Sequence, residues 1–247
     1  MSLSTGLQIS DQDINTQSSV ANAEVIGQKA TTSDGRVFSY AKAGGTLSAG
    51  QITEPAAITA NYANRALTSS AAAGSNQVTI VLGTTATADQ FVGQWFIVND
   101  NTGEGQGAYQ ITGNTAATAG NSNTTIITLS DGLRKAISST ATATDVTIIP
   151  NQQTNVVQHT AAVAVPVAGA PVIDVTSGYW FWNQVQGMAA ILSDGAITKN
   201  AGAIASDATA GAVEIEVAAT VTQRVGYAPE LTVSTEYSPL VLTLVGV

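Results

Sequence analysis

The tripeptide Ser-Asp-Gly occurs at 33–35, 130–132 and 193–195, each time between strand-like runs. Asp-Gly in that setting favours a tight hairpin, because glycine accepts the positive φ that the turn requires. The flanking pairs are "EVIGQKATT" and "RVFSYAKA", "NTTIITL" and "LRKAIS", and "MAAIL" and "AITKN". Three hairpins are expected. The copies share turn chemistry without extending into a longer repeat. Elsewhere Val213, Ile215 and Val217 alternate with Glu214 and Glu216, and Val78, Ile80 and Leu82 alternate with Thr79 and Val81. Period two belongs to strands with one dry face. The end "PLVLTLVGV" is apolar on both faces, which predicts a strand covered on both sides or lying at an interface. No long helical stripe is present; "PAAITANYANRAL" (55–67) is the best candidate for a short helix. The fold class that follows is all-β, with antiparallel barrel- or sandwich-like domains behind an extended N-terminal arm.

Residues 1–20 are polar, with Leu3, Leu7, Ile9 and Ile14 too sparse to make a core. They are expected to form an extended arm that orders on another chain. The stretch 66–152 begins after a small-residue linker and ends at Pro150-Asn151, as an inserted β domain would. The framework would then be 21–65 plus 153–247. Loops are expected at 69–77, 113–123 and 138–145.

Charge excludes several functions. Lys and Arg number 8 against 17 Asp and Glu, a formal charge of −9. Nucleic-acid binding needs a basic footprint that these residues do not supply. The opening stretch has no basic n-region or apolar h-region, so it is not read as a signal peptide. The longest run without a charge or a strongly polar side chain, 161–173, contains two prolines and falls short of the ~20 residues that span a bilayer. No membrane span is expected. Cysteine is absent, which removes disulfides and thiolate metal sites.

The catalytic inventory is thin, and neither an enzyme nor a cofactor is expected. His159 is the only histidine, it lies in a strand-like run, and no G-x-S-x-G nucleophile elbow accompanies it. "NDNTGEGQG" (99–107) places Asp100, Asn101 and Glu104 among glycines without the calcium-loop frame. Glu214 and Glu216 are the tidiest carboxylate pair, but a wet sheet face accounts for them.

Of 3 Trp, 6 Tyr and 4 Phe, four are consecutive at Tyr179–Trp182, within "GYWFWNQVQGMAAILSDG". On a strand Trp180 and Trp182 share one side, continued by Gln184, Gln186 and Met188, with Tyr179 and Phe181 opposite. Two readings arise. The aromatics form a core or interface seam, or the two tryptophans form an exposed sugar-binding platform.

Three stretches resemble one family. "EVIGQKATTSDGRVFSYAKAGGTLSAGQI" is similar to the opening of tailed-phage capsid decoration (cement) proteins, with a D-G-R-x-F-x-Y hairpin at Asp34, Gly35, Arg36, Phe38 and Tyr40. A G-x-L-x-x-G-Q turn follows at Gly45, Leu47, Gly50 and Gln51. "GYWFWNQVQGMAAILSDG" resembles their G-x-Y-x-W-x-Q-x-x-G strand, matching Trp182, Gln184 and Gly187, while Trp180 goes beyond the pattern. "TAGAVEIEVAATVTQRVGYA" is similar to the strand after it, ending at Val225, Gly226 and Ala228. The insert "FVGQWFIVNDNTGEGQGAYQITG" also fits. The resemblance implies a virion protein on the capsid exterior, a homotrimer that binds the major capsid protein. Its expected partner interface comprises Leu3, Leu7, Ile9, Ile14, Trp180 and Trp182. A carbohydrate-binding or adhesin module of a phage tail or cell surface is the alternative; a hydrolase is the third class.

Overall fold

The computed structural model describes residues 6–99, 107–139, 145–162, 165–217 and 223–244. They are almost entirely strand and turn. In chain order, β1 (Leu7–Gln8), a single helical turn α1 (Asp11–Ile14), β2 (Lys29–Thr31), β3 (Val37–Lys42) and β4 (Thr53–Glu54) come first. Next come β5 (Arg65–Ala66), β6 (Gln77–Val81), β7 (Trp95–Val98), β8 (Ala108–Asn114), β9 (Thr124–Leu129) and β10 (Asp145–Ile149). The chain continues with β11 (Val157–Gln158), β12 (Ala170–Pro171), β13 (Trp180–Leu192) and β14 (Gly202–Ala205). It ends with β15 (Val213–Ile215), β16 (Arg224–Tyr227) and β17 (Tyr237–Thr243). No helix among the described residues is long and apolar enough to cross a membrane.

The chain divides into two compact units. Residues up to Ala56 join those from Gln152 onward, and Ala57–Asn151 form the other. The inserted unit starts earlier than the linker at 66 suggests. The residues before β5 bond inside it: Gly83 N–H donates to Asn61, Ile148 N–H to Tyr62, and Asn64 N–H to the Thr147 hydroxyl. For the same reason 55–67 is no helix; its polar groups are taken by strands of the insert.

In the insert, strands run β5-β10-β7-β8-β9-β6. A bridge from Leu67 to Ile80 brings the two ends together, closing a barrel. Val78, Ile80, Phe96, Ile111, Ile127 and Ile148 fill it, and β6 shows the alternation its sequence predicts.

In the framework, the main sheet runs β1-β2-β3-β13-β17-β16-β14-β15, with β12 also on β13. Beyond β13 it curls until Val213 of β15 bridges Ser193, and the interior packs Val185, Ile191, Ala203, Val225, Leu240 and Leu242. β17 buries Leu240 and Leu242 on one side, whereas Pro239 on the other is exposed. Within this chain, then, it is covered on one side only.

Of the three expected hairpins, one forms. Gly35 takes φ +85° between β2 and β3, and Asp34 accepts from the Thr32 hydroxyl and the Arg36 N–H. After Gly132, Leu133 instead pairs with Gly74 and Ser75. After Gly195, Ile197 pairs with Thr232.

The arm is also more structured than its composition suggests. β1 pairs with β2 in parallel, and α1 starts from a Ser10–Asp13 capping box. Its sparse apolar residues need no core of their own, because they settle on one already made.

Candidate functional site

β3 and β13 lie antiparallel with Tyr40 opposite Trp182, Lys42 opposite Trp180 and Phe38 opposite Gln184. Directly opposed residues share a sheet face. The "F-x-Y" of one motif and the "W-x-W" of the other therefore form one aromatic seam. Tyr40 stacks on Trp180, centroids 5.4 Å apart at 15°, and meets Trp182 at 5.2 Å and 58°. Lys42 Nζ stands 5.4 Å from the Trp180 ring centre. Phe181, on the other side of the strand, belongs to a separate cluster with Ala41, Leu47 and Val175.

The arm covers this seam. Ile14, Ala30, Phe38, Tyr40 and Trp182 form one buried cluster, with Leu7, Ile9, Val172 and Trp180 packed at its margin. Arg36 holds the arm from the hairpin, bonding Asp11 at 3.0 Å and Asp34 at 2.7 Å. Further along, Ser18 and Trp180 exchange backbone hydrogen bonds of 2.9 and 2.8 Å, and the Gln17 side chain accepts from Thr176 N–H at 2.8 Å. Burial pushes the Tyr40 hydroxyl's pKa up, and the charge of Glu24 adds to that; the Asn22 N–H bond to its oxygen works the other way. A pocket of 170 Å³ remains between arm and seam, its walls including Gln8, Asp13, Gln17, Glu24 and Trp180.

Five of the six residues expected to face a partner are therefore gathered at one place, inside their own chain. Ile14 is 2% and Trp182 4% exposed, so neither is offered to a partner while the arm is docked. Leu7, Ile9 and Trp180 are half-buried. Leu3 lies outside the described residues. The sugar platform loses its geometry: Trp182 is interior and Trp180 has Tyr40 against its ring. Tyr40, the hub of the seam, is a contact residue that the run of four aromatics does not include. The spacing of Phe38 and Tyr40, two apart on one strand face, was the signal for it.

The other candidates fall apart spatially. His159 is buried, its Nε2–H donating to the Val165 carbonyl at 3.1 Å, with Glu54 Oε2 4.0 Å from Nδ1. Glu216 is paired with Arg224. Burial, then the charges of Asp207 and Asp194, push the Glu214 pKa up. Among the described residues no group of three or more His, Asp or Glu is placed to hold a metal ion. Asp100, Asn101 and Glu104 lie outside the described residues.

The polar residues buried on β13 instead organise the framework. The Asn183 side-chain amide donates to Thr53 Oγ1 at 3.1 Å and to Gln153 Oε1 at 3.0 Å, and Gln153 donates to the Ala168 carbonyl. Such a network fixes register because its amide donors would be costly to leave unpaired, although Asn183 Oδ1 is itself buried without a partner. Compared with known proteins, the chain matches no family model, no curated protein and no solved structure.

Proposed function

We propose that this chain is a virion structural protein that seats on the outside of a tailed-phage capsid and ties neighbouring major capsid subunits together. One observation carries the reading. The two motifs with the strongest resemblance to capsid decoration proteins, far apart in sequence, lie on adjacent strands with Trp182 opposite Tyr40. The arm rests on their joint surface.

The mechanism is mass action rather than catalysis. Many modest contacts, each made by the assembled shell and not by free subunits, stabilise the lattice together. A docked arm suits this work. Its helix has four residues and its strand two, so it has little structure to lose on moving. Exchanging its own seam for a capsid groove would expose Leu7, Ile9, Ile14, Trp180 and Trp182 together. The protein acts as a homo-oligomer, a trimer by family resemblance, on the capsid exterior.

An antibody to the recombinant chain is expected to label the outside of intact tailed-phage particles from the same source. The chain is expected to co-sediment with them and to ignore free glycans. Particles without the chain, or glycan binding in place of shell binding, would overturn the proposal.

A further inference from the structure

Past the bulge at Gln184–Gln186, β13 sends Ala189 and Ile191 toward the barrel interior and leaves Met188 and Ala190 exposed. Across the register, Met188 lies opposite Val241, Ala190 opposite Pro239 and Leu192 opposite Tyr237, while Tyr227 of β16 sits beside Val241. These seven side chains carry no charge, and they share the outer face of three adjacent strands. Tyr237 is 54%, Met188 52% and Tyr227 41% exposed. The inner faces of the same strands are buried by Val225, Leu240 and Leu242. At one end the Tyr237 ring lies over Gly50, where an added Cβ would come within 2.8 Å of it. Beside it runs a groove of 380 Å³ walled by Ala49, Pro171, Val172, Asp174 and Ala190. At the other side the Arg224–Glu216 ion pair covers Gly202, which is opposite Tyr227.

We propose that a second copy of this chain covers this face. Strands with apolar residues on both sides belong to sheets covered on both sides, and β17 has its second side bare. Charge favours a copy over an unlike partner. Each chain carries −9, so a basic partner would seek free carboxylates, whereas those at the edge of this face are engaged, Glu216 by Arg224 and the groove's Asp174 by the Ala49 N–H. Its uncharged centre is an approach along which two acidic chains keep their carboxylates at the edge.

Area is consistent with this occupant. Large aromatics bury ~150–250 Å² each, so half-exposed Tyr227 and Tyr237 with Met188 supply roughly 300 Å², and the smaller neighbours bring the patch to roughly 500 Å². A standard interface hides about 800 Å² per partner, with an apolar centre and a polar rim. Gln186, Thr243 and the Arg224–Glu216 pair are placed to be that rim. The inference deepens the oligomeric part of the proposed function and names its surface, but it does not require a capsid.

The test is mass in solution. Sedimentation equilibrium of the full chain at micromolar concentration is expected to give a multiple of 25.0 kDa. Met188→Glu and Tyr237→Lys should each shift it to the single-chain mass with circular dichroism unchanged. Leu231→Glu, at an exposed apolar site off the face, should leave it assembled. The chain has no cysteine, so Met188→Cys adds one thiol. Copies that share this face bring Met188 near its counterpart about the symmetry axis, and a short bis-maleimide should link them; Val233→Cys should not link. A wild-type single chain, face variants that stay assembled, or no link from Met188→Cys overturns the proposal. Face variants that keep their mass but lose shell binding would assign the surface to a capsid subunit and also overturn it. A chain that assembles through this face yet ignores shells sinks the capsid reading and leaves this inference standing.

Discussion

Trp182→Ala separates a structural seam from a binding platform. The indole is 4% exposed, 5.2 Å from the Tyr40 ring, and shares its cluster with Ile14, Ala30 and Phe38. Truncation leaves a cavity between two hydrogen-bonded strands and the arm, and the paired strands cannot close over it. A buried aromatic cut to alanine costs about 3–5 kcal/mol, of which the contact with Tyr40 is about 0.5–1.5 kcal/mol. In a unit of roughly 150 residues each kcal/mol lowers the midpoint by about 2–4 °C, so the fall should be roughly 6–20 °C. Scanning calorimetry is the assay. The framework transition should drop while that of the insert, which has its own core, stays. Trp180→Ala keeps the backbone bonds to Ser18 and loses mainly the stack on Tyr40, so about 1–2 kcal/mol is expected. An unchanged midpoint for Trp182→Ala would refute the core assignment. Normal melting with glycan binding lost in both variants would restore the platform.

Three further outcomes are expected. The Asp34 carboxyl is held down to about 2, chiefly by the Thr32 hydroxyl and then by the Arg36 N–H. Its support for the hairpin is therefore present above the ordinary aspartate range and lost as pH falls through about 2. Thr32→Val should raise its NMR titration midpoint, and no movement would count against the bond. Glu214 has the opposite sign: its raised pKa makes the ionised form a liability, relieved as pH falls. Glu214→Gln should melt higher than wild type at neutral pH, with the gap closing through the carboxylate range; a lower melt would contradict the repulsion from Asp207 and Asp194. Gly226→Ala puts a Cβ onto the Val241 carbonyl oxygen and 3.2 Å from Leu242 Cα, both backbone. A soluble, normally melting variant would mean that β16 and β17 are not paired at Gly226–Leu242.

What was legible in the sequence was local. The hairpin at 33–35 closes with Thr32, Asp34, Gly35 and Arg36 alone, so four neighbouring residues specify it. The same tripeptide at 130–132 and 193–195 fails to make a hairpin because the next apolar residue has a better partner far away. Leu133 goes to Gly74 and Ser75, and Ile197 goes to Thr232. Period two correctly separated Phe181 from Trp180 and Trp182, which enter different clusters. It also made β17 apolar on both sides, without saying that Leu240 and Leu242 face inward and Pro239 outward. A count of apolar residues underrates the arm. Leu7, Ile9 and Ile14 are few, but strand pairing and one helical turn deliver all three to the same aromatic surface.

How firmly the arm is held decides whether it can exchange partners. A helix of four residues and a strand of two do not persist alone, so docking depends on a few contacts. These are Ile14 in the aromatic cluster, the Arg36 bonds to Asp11 and Asp34, and the Ser18–Trp180 pair. Behind the arm, β13 is paired with β3 and β17 and needs no help from it to stay in the sheet. Local opening should therefore cost less than global unfolding. Ile14→Asp places a carboxylate where the side chain is 2% exposed, and burying that charge costs more than releasing the arm. Amide hydrogen exchange should then show residues 7–18 freely exchanging while Phe181–Ile191 remain protected. If protection is lost across both together, the arm is part of the cooperative core, and a protein built that way could not lend it to a capsid.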